Sequence, residues 1–302
     1  MTAFITSLGG RLAERWLQAL LLPGVLFVGA VAVAGRLGHG RWSDVGDLAA
    51  AVDQLGAWAT GRGNGAVALL AVAVVAGAVA AAALAQGLGR VVVLGWTTTW
   101  GPLGRLLVRR RRHRWRRAVD RYEEALRVKA RLLLGVRPAD PPPELPDTVA
   151  LATARDRIAL VEPRLPTWMG DRMHAVDERI RTAYDLDLAS AWPRLWLTVA
   201  EEVRGALARA QAEFTAAGRL AGWGSLYLLL GLRWWPAAVV GVGAWALGWW
   251  RGRTSMENLA QLVEATVDLQ ASALAAALGH PVDGCFTPDD GEVVTRILRK
   301  GT

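Results

Sequence analysis

The chain has 302 residues, enough for one large domain or two ordinary ones. Its formal net charge is +8, and residues 105–117, RLLVRRRRHRWRR, hold eight arginines, so the remainder sums to about zero. That excludes the domain-wide basic face of an ordinary nucleic-acid binder, and a single cysteine, Cys285, excludes a disulfide framework within the chain and argues against a cysteine metal site.

Residues 17–35 carry no charge and would rise about 28 Å as a helix, the depth of a hydrocarbon core. Arg11, Arg15 and Trp16 precede them. A cleaved signal peptide is the rival reading, because Ala32-Val33-Ala34 resembles a cleavage site. In the loop 36–64, residues 43–59 are amphipathic, with Val45, Leu48, Val52 and Leu55 on one face and Ser43 as the expected N-cap. Residues 65–89 form a second uncharged run, in which Ala73, Gly77, Ala81, Ala85 and Gly89 recur every four positions. Such a stripe lets another helix backbone come close.

The Arg cluster follows directly. Arg105, Arg109, Arg110, Arg111, Arg112, Arg114, Arg116 and Arg117 are expected to stop the chain at the membrane surface and contact anionic lipid headgroups, not nucleic acid. Val119, Tyr122, Leu126 and Leu133 mark the apolar face expected of the helix that follows, and the proline-rich stretch 136–147 reads as an extended linker. Fifteen of the 22 aromatic residues are tryptophan, a residue that favours membrane–water boundaries. Trp16, Trp96, Trp100, Trp234, Trp235, Trp249 and Trp250 are the expected interface residues.

Residues 166–196, PTWMGDRMHAVDERIRTAYDLDLASAWPRLW, read as two short helices and a turn, with Met169, Met173, Val176 and Ile180 on an apolar face. Trp192, Leu195 and Trp196 form a knot that is core or partner surface. Pro166, Thr167, Gly170, Tyr184, Asp187 and the run Trp192 to Leu195 resemble a segment of a family of bacterial integral membrane proteins of similar size. Where the family has glycine after the tyrosine, this chain has Asp185. The likeness covers about a tenth of the chain and implies a cytoplasmic segment between two membrane hairpins, with no activity, cofactor or catalytic residue attached.

Thr198 and Glu201 suggest a capping box, and Val199, Val203, Leu207, Ala210 and Phe214 line the helix beyond it. Residues 214–250 form a second hairpin, spanning or re-entrant, turning at Arg233 and Pro236. Met256, Leu259, Val263, Val267, Leu274 and Leu278 keep helical spacing until Gly279 and Pro281. Asp283, Cys285, Asp289 and Asp290 near the end lack metal-ligand spacing, and no nucleotide-binding, hydrolase or metalloprotease motif occurs.

The expected fold is all-α and polytopic: a membrane hairpin in 1–104, a cytoplasmic helical domain in 105–213, a second hairpin in 214–250 and a cytoplasmic helix and tail in 251–302. Three Arg groups on one side put both termini in the cytoplasm of a bacterial inner membrane. The expectation is a non-enzymatic scaffold or partner-binding membrane protein without cofactor or metal. Its partners are anionic lipid and either its own copies or a cytoplasmic protein; an oligomeric channel is the alternative.

Overall fold

In the computed structural model the described residues are 21–40, 44–134 and 145–300. They are helical, with no strand among them. The order is α1 (Leu22–Leu37), α2 (Val45–Thr97), α3 (Gly101–Leu133), α4 (Thr148–Asp156), α5 (Trp168–Tyr184), α6 (Leu188–Thr198), α7 (Glu201–Gly231), α8 (Trp235–Ala277) and α9 (Pro288–Leu298). Arg11, Arg15, Trp16, the start of the first apolar run, the Ser43 cap and most of the proline-rich linker lie outside the described residues, as do the side chains of Val45, Leu48, Val52 and Leu55.

The chain divides into two units, one of residues 1–93 and 215–251, the other of 94–214 and 252–302. In the first unit α2 breaks at Gly63, whose φ of 76° suits a residue without Cβ. Beyond the break Gly63–Thr97 is long and apolar enough to cross a membrane, the one such helix among the described residues; α1 is a shorter apolar helix. The helices here meet backbone to backbone. A Cβ at Gly24 would overlap Ala78 O, and one at Gly222 would overlap Ala85 O. A Cβ at Gly224 would lie 2.8 Å from Trp245 N and 2.9 Å from Gly241 O. Within the four-residue stripe, Ala85 and Gly89 take the α7 contact and Gly77 faces Val28, while Ala73 is exposed. Phe27 packs edge-on to Tyr227 at 5.2 Å.

The second unit has a side-chain core. Val176, Ile180, Leu186, Leu195, Leu207, Leu259, Val263, Val267, Leu274 and Val294 are buried together, drawn from five helices and the turn before α6. The periodic faces expected of α5, α7 and α8 supply most of them, because apolar residues every three to four positions fall on one side of a helix. Three expectations fail here. Leu126 and Leu133 of α3 are 40% and 75% exposed, and the buried residues of that helix are Gly104, Ala118 and Ala125. Thr198 ends α6, donating to Leu195 O (3.0 Å), so it does not cap α7. The stretch read as a tail contains α9, which Thr287 starts by a capping box with Asp290.

Candidate functional site

The Arg cluster lies on α3, and the helix sorts its arginines by face. Arg111 turns inward. It donates to Ile158 O (2.8 Å) and Leu165 O (2.6 Å) and pairs with Asp171, whose side chain is 3% exposed. The other Asp171 oxygen accepts from the backbone N–H of Arg164 (2.8 Å) and Leu165 (2.7 Å). A buried carboxylate with a guanidinium and two amides is satisfied; losing one partner would strand the rest. Burial lowers the Arg111 pKa from its ordinary value, with Asp171 pulling the other way.

Beside it, Arg112 Nε donates to Pro163 O (2.7 Å), Trp115 Nε1 to Ala159 O (2.8 Å), and Arg116 pairs with Glu162 (2.7 Å). These side chains hold 158–165 against α3. Eight headgroup contacts were expected from the cluster. The structure commits Arg111 to an internal ion pair, while Arg112 and Arg116 brace a loop and stay partly exposed, because helical spacing turns one face of any long basic run toward the fold. Arg105, Arg109, Arg110, Arg114 and Arg117 are exposed.

Arg105, Arg109 and Arg112 share a cavity of about 250 Å³ with Arg164, Thr99, Gly101, Gly104, Val108 and Pro166. Pro166, the first residue of the Pro-Thr-x-x-Gly stretch, is part of its lining. Thr167 caps α5 by accepting from Gly170 N (3.2 Å), and its hydroxyl donates to Trp96 O. A Cβ at Gly170 would lie 2.9 Å from Leu165 Cδ1 and 3.2 Å from Trp96 O, so glycine keeps this approach close. Trp96, expected at the interface, is only 3% exposed, packed on Phe214 (6.0 Å) and against Gly252. Trp100, 44% exposed, donates to Gly95 O (2.7 Å). Trp234 and Trp249 are half-buried, while Trp235 and Trp250 are exposed.

The remaining residues of the family-like stretch have structural roles. Asp185 takes the left-handed conformation that ends α5 (φ 48°), where glycine is the usual residue and aspartate a tolerated substitute. Asp187 accepts from Ser190 Oγ (2.6 Å) and from Arg299 Nη2 (2.8 Å) and sits below the usual carboxylate pKa, chiefly through Ser190. Leu195 is fully buried, Trp192 packs on the core, and Trp196 is 36% exposed. Elsewhere Arg172 bridges Glu257 (2.9 Å) and Glu264 (2.9 Å) on α8. Burial opposes its charge, but the Glu257 and Glu264 hydrogen bonds outweigh that and raise its pKa. Arg253 lies over the Trp168 ring at 4.2 Å.

Sequence reasoning missed Asp171 and Arg164. Both stand in the quoted stretches or beside them, but nothing in their spacing ties them to an arginine 60 residues away. No group of His, Cys, Asp or Glu able to hold a metal occurs among the described residues. No family model, curated protein or solved structure matches the chain.

Proposed function

We propose that this is an integral membrane protein of the bacterial inner membrane, crossing four times, with both termini and the ion-paired unit on the cytoplasmic side. It acts as a non-enzymatic scaffold, presenting that helical unit to a partner or to its own copies. The observation that carries the reading is the outer surface of Gly63–Thr97. Leu69 is 72% exposed, Val72 65%, Val79 56% and Leu84 61%. An apolar surface of that kind is costly in water and at ease in lipid. The opposite side of the same helix packs through Ala85 and Gly89, the small-residue contact that holds helices together where no hydrophobic force does.

Val239, Val240 and Val242 on α8, 60%, 53% and 58% exposed, extend the argument to the second hairpin. The external side is assigned to 36–64, because the Arg cluster and Arg251 and Arg253 retain the other two basic span ends on the inside. The test places single cysteines at Leu197, 78% exposed, and at Asp53, in a Cys285→Ser chain. In intact cells an impermeant thiol reagent should label position 53 and spare position 197. The reverse pattern overturns the orientation, and recovery of the chain in the soluble fraction overturns the membrane assignment.

A further inference from the structure

The cavity at the head of α3 has a composition that the brace beside it does not explain. Four arginines line it and no carboxylate does. Glu162 and Glu178 approach two of the four from outside the lining, at 3.8 Å from Arg112 Nε and 3.7 Å from Arg164. Arg105 and Arg109 are exposed and lie one helical turn apart on α3. Arg112, fixed by its Nε on Pro163 O, keeps its terminal nitrogens out of that bond. Thr99 adds a hydroxyl, and Gly101 and Gly104 belong to the first turn of a 33-residue helix, the end where the helix dipole favours negative charge. Like charges gathered around one concavity repel each other until an anion enters, and a guanidinium fork matches phosphate oxygens in pairs.

We infer that this cavity binds one phosphate group, from a phospholipid headgroup or from a free phosphate compound. Its volume of about 250 Å³ lies just under the roughly 300–1,000 Å³ of pockets that enclose drug-sized ligands, and suits a headgroup. Leu103 and Leu106, 73% and 49% exposed, flank Arg105 on the same helix and offer acyl chains an apolar surface. Thr99 follows the end of the apolar helix Gly63–Thr97 by two residues in sequence. The lipid source rests on the membrane reading above; the phosphate chemistry does not. A generally basic surface would spread its affinity along the whole of α3, whereas a cavity concentrates it at one position and admits one ligand.

The test uses the full chain in neutral detergent, titrated with phosphatidylglycerol and followed by native mass spectrometry. The wild type should take up one lipid well before any second. Arg105→Gln/Arg109→Gln should weaken that first adduct about thirtyfold, the effect of two headgroup-facing arginines. Val108→Phe should weaken it too, filling the cavity without changing charge. Arg121→Gln/Arg131→Gln removes the same charge further along α3, from two exposed positions, and should leave the first adduct within about twofold. Unchanged thermal midpoints confirm that the variants fold. A second arm adds millimolar inorganic phosphate: loss of the lipid adduct together with thermal stabilisation assigns the cavity to a free phosphate compound, and persistence of the adduct assigns it to the headgroup. Equal lipid binding by the cavity variants and the Arg121/Arg131 control overturns the site, as does failure of both lipid and phosphate to bind. If the chain proves soluble, the membrane reading falls and the phosphate arm alone decides the cavity.

Discussion

Gly224 on α7 lies so near α8 that an added Cβ would sit 2.8 Å from Trp245 N, whereas α5 and α8 meet through Arg172, Glu257 and Glu264. The first contact belongs to the unit of residues 1–93 and 215–251, the second to that of 94–214 and 252–302. Glycine contacts gain from dispersion and close approach, which work in lipid, where apolar side chains gain nothing by leaving the solvent. Ion pairs and a buried aliphatic core draw on water, which solvates the outer charges and drives the apolar faces inward. The two units differ in how their helices meet, backbone to backbone in the first and through side chains in the second.

The largest expected effect breaks the second unit at a deeply buried charge. Asp171→Ala strands Arg111 and leaves the Arg164 and Leu165 amides without their acceptor. Removing one partner of a buried pair costs about 3–5 kcal/mol. The variant should become protease-sensitive across 157–167; wild-type resistance would remove the brace from the account.

The next variant breaks the glycine-packed unit. Gly222→Leu drives a side chain into the α2 backbone at Ala85 and Gly89, whereas Gly243→Leu enters open space. Overpacking costs typically 1–3 kcal/mol, so Gly222→Leu should lower the unfolding midpoint in detergent and Gly243→Leu should not. Equal midpoints would mean that these helices do not touch as described.

Two smaller effects sharpen the contrast within the second unit. Asp185→Ala should destabilise by about 1 kcal/mol, the cost of an ordinary residue in the left-handed region, while Asp185→Gly should match the wild type or exceed it. Chemical denaturation of the pair measures the difference. Asp290 is lowered from 3.8 to about 2, first by the Thr287 hydroxyl and then by His280. A depressed carboxylate stabilises the fold above its unfolded pKa, and that contribution fades as pH falls from about 4 to about 2. Helicity followed in acid should therefore fall more steeply in that window for the wild type than for Asp290→Asn, and parallel curves would show that the cap of α9 does not matter to stability.

Much of the fold was legible because its signals are local. The turn between the helices of 166–196, the stop at Gly279 and the buried faces of α7 and α8 follow from spacing and from residues with special backbone freedom. Thr287-Pro288-Asp289-Asp290 also carries a local cap signal, a threonine with an aspartate three residues on, beside a proline. What was not legible depends on residues distant in sequence.

By itself the sequence determined helix, its periodic faces and the places where helices must end, since these depend on side-chain size, charge and φ within a few residues of each other. Only the tertiary structure decided how one run of eight arginines is divided: Arg111 to Asp171, Arg112 to Pro163 O, Arg105 and Arg109 to an open cavity. It also decided that Trp96 is buried and Trp100 exposed. A helix repeats every 3.6 residues, so residues of identical chemistry in one run face different ways, and which way is inward depends on what the rest of the chain brings to meet them.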